Sequence, residues 1–215
     1  MLGLYVHVPF CSAICNYCNF NRGLFDAALK ARYVEALLRE IEQAAPVPGA
    51  TPADTVYFGG GTPSCLKIQE LERLISEVHS AFEFKKGYEF TCEFNPGDGD
   101  EAKLKFFHKI GVNRISLGCQ SFRYTILQRL GRRHTARDIT ETVSKIRHAG
   151  IVNINFDLML RLPGQTVEDF RDSVGRCGRH GSALPHRATV LIPVDEPARR
   201  EEDSPDSRAG GRVQD

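Results

Sequence analysis

Short apolar runs alternate with longer amphipathic stretches along this chain. Leu2 to Val8, Thr55 to Phe58, Tyr88 to Glu93, Arg114 to Gly118 and Asn153 to Leu158 predict five strands. The segments between them carry helical spacing. Leu29, Tyr33, Leu37, Leu38 and Ile41 fall on one face, as do Leu71, Leu74, Ile75 and Val78, and later Ile139, Val143 and Ile146. This repeated strand and helix alternation predicts an α/β fold, a parallel sheet with helices outside it, either open or curled into a barrel. Chemistry then belongs at the C-terminal ends of the strands.

Five loops expected at those ends carry distinctive polar or Gly-rich sequence: His7 to Phe20, Gly59 to Pro63, Glu93 to Gly97, Gln120 to Phe122, and the stretch from Asp157 onward. After about Ser173 the pattern is lost. The 41 residues from Gly175 to Asp215 contain no aromatic residue and no Lys, but seven Arg, five Gly and four Pro. The expected organisation is a core over residues 1–174 and a tail of low order over 175–215, with one short strand at Val190 to Val194. A barrel built this way is incomplete at its C-terminal end.

Composition narrows the function without identifying it. With 215 residues, 41% hydrophobic and 26% charged, the chain has the profile of an ordinary globular protein. Lys and Arg number 28 against 27 Asp and Glu, a net charge of +1 that gives no electrostatic footprint for nucleic acid or a membrane surface. No apolar run approaches the roughly 20 residues of a membrane span, and no basic-then-apolar leader opens the chain, so a soluble cytoplasmic protein is expected. Seven Cys, an odd number with three packed between Cys11 and Cys18, suit a metal site in a reducing compartment better than a disulfide framework.

The segment CSAICNYC sets three thiols within eight residues, directly after the first strand. A [4Fe–4S] cluster ordinarily takes four Cys, so a triad of Cys11, Cys15 and Cys18 with no fourth close by leaves one iron open to a small molecule. The alternatives are a zinc site, with His7 as fourth ligand, or three unrelated core cysteines.

The motifs YVHVPFCSAICNYCNF, FGGGTPS, EFNPG, GVNRISLGCQSF, GRRHT and DLMLRLPGQT together resemble those of the radical S-adenosylmethionine (SAM) family. Within it they resemble the coproporphyrinogen-III-oxidase-like branch, over about Leu2 to Asp172. The resemblance implies a partial (β/α)6 barrel in which the open iron chelates the amino and carboxylate groups of SAM. An electron from the cluster then cleaves a C–S bond to give a 5′-deoxyadenosyl radical. It also places SAM contacts at Tyr5, Tyr17, Gly60, Gly61, Thr62, Glu93, Gln120, Arg132 and Asp157. Taken singly these residues have blander readings: strand packing for Tyr5, a tight turn for the glycines, surface or capping roles for the polar groups. Cys65, Cys92, Cys119 and Cys177 match no cluster position, and the first three read as small buried hydrophobes.

The oxidase of this branch carries a further Cys two places after the third cluster Cys, and a long N-terminal extension. Here that position is Phe20 and the first strand begins at Leu2. Both departures resemble HemW-like heme chaperones, which implies heme or a porphyrin as bound cargo and a heme-acceptor protein as partner. A radical enzyme acting on a porphyrinogen and an inactive truncated fragment are the alternatives. The Arg/Gly/Pro-rich tail resembles translation of a shifted reading frame in a GC-rich gene, which would leave an open sheet edge beside Asn153 to Leu158. Arg161 stands where the family usually has Gly; an Arg costs little there if it points to solvent, but would crowd a tight backbone conformation. No His, among them His7, His108, His134 and His148, is assigned as a heme ligand.

Overall fold

The computed structural model describes residues 1–24, 26–46, 50–180 and 188–191. In chain order the strands are β1 (Gly3–Val8), β2 (Phe10–Cys11), β3 (Gly23–Leu24), β4 (Ala53–Gly60), β5 (Phe84–Phe94), β6 (Arg114–Gln120), β7 (Asn153–Met159) and β8 (Ala188–Leu191). The helices are α1 (Ala27–Gln43), α2 (Ile68–Ala81), α3 (Glu101–Lys109), α4 (Tyr124–Arg129), α5 (Ala136–His148) and α6 (Val167–His180). Six strands form one parallel sheet in the order β1-β4-β5-β6-β7-β8, which curls into a partial barrel. The two-residue strands β2 and β3 pair with each other inside the loop that carries the three cysteines.

Alternation within the strands sorts the side chains. Phe58 of β4, Phe90 and Cys92 of β5, Ile115 and Leu117 of β6, and Ile154, Phe156 and Leu158 of β7 are buried in one continuous core. Leu71, Leu74, Ile75 and Val78 of α2 and Ile139, Val143 and Ile146 of α5 close on that core, as their spacing predicts. Thr135 and Asp138 cap α5 reciprocally, each side chain receiving the other's backbone N–H.

Three expectations are corrected. The buried face of α1 is Lys30, Val34, Leu37 and Ile41, whereas Leu29 is 52% exposed. A lysine occupies the seam because its ammonium pairs with Glu70 of α2 at 2.7 Å while its stem is buried between the helices. The helical pattern does not end at Ser173, because α6 runs across the expected boundary at 174/175 to His180. Its inward face is Asp169, Ser173 and Cys177, a small and polar set that apolar periodicity does not reveal. Nor is the β7 edge wholly open, since β8 pairs with Phe156 to Met159. Residues 192–194 of the expected last strand and the tail to Asp215 lie outside the described residues. Among the described residues no helix is long and apolar enough to cross a membrane.

Candidate cofactor site

The C-terminal ends of the sheet strands meet the cysteine loop around a cavity of about 260 Å³. Cys11, Cys15 and Cys18 all line it, as do Tyr17, Gly60, Gly61, Thr62, Glu93, Gln120, Arg132 and Asp157. The loop is anchored at both ends. Phe10–Cys11 pairs with Gly23–Leu24, and the Asn16 backbone N–H donates to the Leu130 carbonyl at 3.1 Å while its side chain donates to the Arg129 carbonyl at 3.0 Å. Arg22 folds back within the loop, donating to the carbonyls of Cys15 and Cys18.

The three thiols sit in an electropositive frame. Arg132 reaches Cys15 Sγ at 3.5 Å and holds Asn95 Oδ1 and the Gly118 carbonyl with its other terminal nitrogen, both at 2.7 Å. Thr62 Oγ1 lies 3.7 Å from Cys11 Sγ as donor, and in turn accepts from Asn95 Nδ2 at 3.0 Å. Burial pushes the Cys11 thiol up, and the Thr62 hydroxyl and the Arg22 charge oppose that push. A thiolate ligand needs such partners, because the charged form is what binds metal.

The glycine loop is shaped by close approaches. Gly60 has φ of 112° and a Cβ there would run into the His7 imidazole; a Cβ on Gly61 would meet the Phe10 carbonyl oxygen at 2.6 Å. Backbone is thereby brought to the cavity wall where side chains would fill it. Glu93 of β5 faces this loop, accepting from Tyr57 Oη at 2.8 Å and from the Gly60 N–H at 3.1 Å. Burial holds the Glu93 carboxyl above the usual range, with those two donors pulling the other way. Across the cavity Asp157 accepts from Ser116 Oγ at 3.1 Å and from Asn155 Nδ2 at 2.7 Å. Burial pushes its pKa up to about 7 despite the Ser116 hydrogen bond, and Glu93 adds to the push.

Gln120 ends β6 with φ of 59°, at a register shift against β7, and its Oε1 is buried with no hydrogen-bond partner among the described residues. Arg132 Nε is buried and unpartnered likewise. Buried polar atoms without partners are costly, and these two are free to accept from or donate to a polar ligand in the cavity.

Tyr5 is not on the cavity wall but packs beside it, its ring centroid 6.0 Å from that of Tyr57, the donor to Glu93. It shares a face with His7, as strand alternation predicts, but its ring is 55% exposed on the edge strand β1, hydrogen-bonded to His7 Nδ1 at 2.9 Å. His7 Nε2 pairs with the Asn21 carbonyl at 2.9 Å, so both ring nitrogens are engaged away from the cysteines and the zinc alternative loses its fourth ligand. Among the described residues no three His, Cys, Asp or Glu side chains close on a single ion. The donor set, three thiols on a cavity with unpaired polar atoms beside them, therefore fits a site-differentiated [4Fe–4S] cluster with a polar ligand on its open iron.

His134 is a packed histidine at the Cys119 carbonyl, pushed down to about 4 by burial and the Arg132 charge, while His108 and His148 are exposed on α3 and α5. Cys65, Cys92, Cys119 and Cys177 pack with the core, and burial raises every one of these thiols, Cys65 to about 11 and Cys177 to about 12. Tyr57 and Asn95 were not singled out by the sequence. Two signals identify them: Tyr57 is two places before Gly59 on an alternating strand, and Asn95 lies within the EFNPG motif.

The model of the Radical SAM superfamily matches residues 5–177. The heme chaperone HemW of Lactococcus lactis is 39% identical over 192 residues, covering 89% of this chain and 49% of that protein. HemW of Bacillus subtilis is 35% identical over 175 residues, 81% of this chain and 46% of that one. Among solved structures, coproporphyrinogen III oxidase (HemN) from Escherichia coli, described as a radical SAM enzyme, superposes with a TM-score of 0.81 at 30% identity. That match covers 91% of this chain and 45% of the oxidase. The chain thus spans about half the length of the curated relatives it matches. With the barrel, the cysteine loop and the family match in agreement, this chain belongs to the radical SAM superfamily, as a HemN/HemW-like member.

Proposed function

We propose that the chain binds a [4Fe–4S] cluster on Cys11, Cys15 and Cys18, binds SAM beside it, and serves as a heme chaperone that passes heme to an acceptor protein. The observation that carries the cofactor reading is the opening of all three thiols into one cavity walled by Gly60, Glu93, Gln120 and Arg132. In this reading Glu93, fixed by Tyr57 and Gly60, receives the ammonium of SAM, and Arg132 and Gln120 offer their unpaired Nε and Oε1 to its polar groups. Asp157 takes the ribose hydroxyls, Tyr17 covers the cavity from the loop, and Thr62 holds Cys11 in place. When bound, the cluster and SAM together supply reductive cleavage of a C–S bond.

Heme as cargo is supported by the HemW relatives at 35% and 39% identity and by Phe20, which stands where the oxidase branch carries its further Cys. Phe20 is 63% exposed and lines the cavity mouth, presenting an aromatic face instead of a thiol. The oxidase-like reading is kept as the second, on the TM-score of 0.81 to HemN. Titration with hemin, followed by its absorption spectrum, is expected to give stoichiometric binding with no SAM-dependent product from coproporphyrinogen III. SAM-dependent product formation would replace the chaperone reading with the enzymatic one.

A further inference from the structure

The lumen of this half-barrel is polar far below the cofactor level. On β6 the inward row is Arg114, Ser116, Gly118 and Gln120, all four of which line the cavity, while the alternate residues Ile115, Leu117 and Cys119 are buried in the helix-facing core. At about 3.3 Å per residue the row spans roughly 20 Å from Gln120 down to Arg114. A closed (β/α)8 barrel fills its interior with layers of branched apolar side chains. Here the inward positions hold hydrogen-bonding groups instead, and a cavity remains among them.

At the bottom of that row Arg114 is held in place. Its Nη1 donates to Thr91 Oγ1 at 3.1 Å and pairs with Glu89 at 3.4 Å, while Nε is buried with no partner among the described residues. Glu89, its side chain 34% exposed, sits on the outer side of the guanidinium and is not part of the cavity wall. One step up, Ser116 and Asn155 both donate to Asp157, and Asn155 Nδ2 also reaches Thr189 Oγ1 at 3.1 Å. Asp157 faces the same space, and burial raises its carboxyl to about 7, which lowers the negative charge it presents there.

We propose that this lumen floor, with Arg114 as its donor, is a subsite for a carboxylate arm of the molecule the protein carries or acts on. An unpaired, buried guanidinium N–H matches what a carboxylate oxygen accepts. The inference rests on the heme or porphyrin reading above only for the identity of that molecule, since such macrocycles carry propionate arms.

The full chain is titrated with hemin and with hemin whose two propionates are methyl esters, in wild type, Arg114→Gln and Glu89→Gln. Arg114→Gln is expected to weaken hemin roughly 10- to 100-fold, the range for losing a charge-assisted contact, and to leave the ester unchanged. Glu89→Gln, which releases Arg114 from its ion pair, is expected to tighten hemin, a change that a damaged fold would not produce. Equal weakening of acid and ester in Arg114→Gln, or no effect on either, overturns the subsite. If the chain takes up no hemin, the cargo reading fails by itself and propionate becomes the probe, in ligand-observed saturation-transfer NMR. A signal lost in Arg114→Gln then upholds the subsite, and no signal in wild type overturns it.

Discussion

Tyr57 donates its phenolic hydrogen to Glu93 Oε1 at 2.8 Å, across the pair of strands that carry the glycine loop and the buried acid. The bond orients one carboxylate oxygen, the Gly60 N–H orients the other at 3.1 Å, and both work against the burial that favours the protonated acid. Removing the hydroxyl in Tyr57→Phe is expected to raise the Glu93 pKa further and weaken SAM binding by about tenfold, the worth of one hydrogen bond to a charged group. Equilibrium SAM binding to reconstituted protein measures this. Unchanged affinity would show that Tyr57 is a packing residue only.

Iron content distinguishes the two classes of cysteine. Replacing Cys11, Cys15 or Cys18 by Ala is expected to abolish cluster assembly, whereas Cys92→Ala and Cys177→Ala keep it, because those thiols are buried in the core and held protonated. Iron and acid-labile sulfide analysis after reconstitution reads both outcomes.

Asp157 makes the stability of the apoprotein depend on pH. Its folded pKa of about 7 stands above the unfolded value near 3.8, so the folded state binds the extra proton between those limits. Its stabilising contribution is fully present below about pH 4 and is lost as pH rises through 7, with a slope for one proton of no more than about 1.4 kcal/mol per pH unit. Asp157→Asn is expected to flatten the denaturant stability profile over that window.

Two backbone positions separate strain from crowding. Gly60 and Gly87 have φ of 112° and 75°, but only at Gly60 would a Cβ meet another side chain, the His7 imidazole. Gly60→Ala is expected to cost more stability than Gly87→Ala and to weaken SAM binding, which Gly87→Ala leaves alone. Arg161 is exposed, so its side chain crowds nothing, but its φ of 65° lies in the left-handed region that favours glycine. Arg161→Gly removes about 1–2 kcal/mol of left-handed strain and returns about 0.5–1 kcal/mol to chain entropy. A small gain in stability, below about 1.5 kcal/mol, is expected in thermal or urea unfolding.

Periodicity revealed most of the barrel because the helix-facing sides of its strands, and the inward faces of α2 and α5, are largely apolar. It failed where the buried face is not apolar. Lys30 took a seam position on α1 through its ion pair with Glu70, and α6 turns Asp169, Ser173 and Cys177 inward. Ser173 accepts from the Phe122 N–H at 3.2 Å and donates to the Asp169 carbonyl at 2.9 Å, so this helix is tied down by hydrogen bonds that hydropathy does not register. In the site, the three cysteines that line the cavity stand together in the sequence because all three lie on one loop. Tyr57 and Ser116 act through partners on neighbouring strands and Asn95 through Arg132 on the loop before α5, so only the folded sheet and its loops bring them together.

The central claim is that three thiols on one loop hold a cluster whose open iron faces the SAM cavity. Anaerobic reconstitution, followed by iron and sulfide analysis and by EPR of the reduced protein before and after SAM is added, tests it most directly. Four irons per chain, as a [4Fe–4S] cluster requires, and a signal shifted by SAM are the predicted result. Protein that assembles no cluster, or a cluster whose signal is indifferent to SAM, would contradict it.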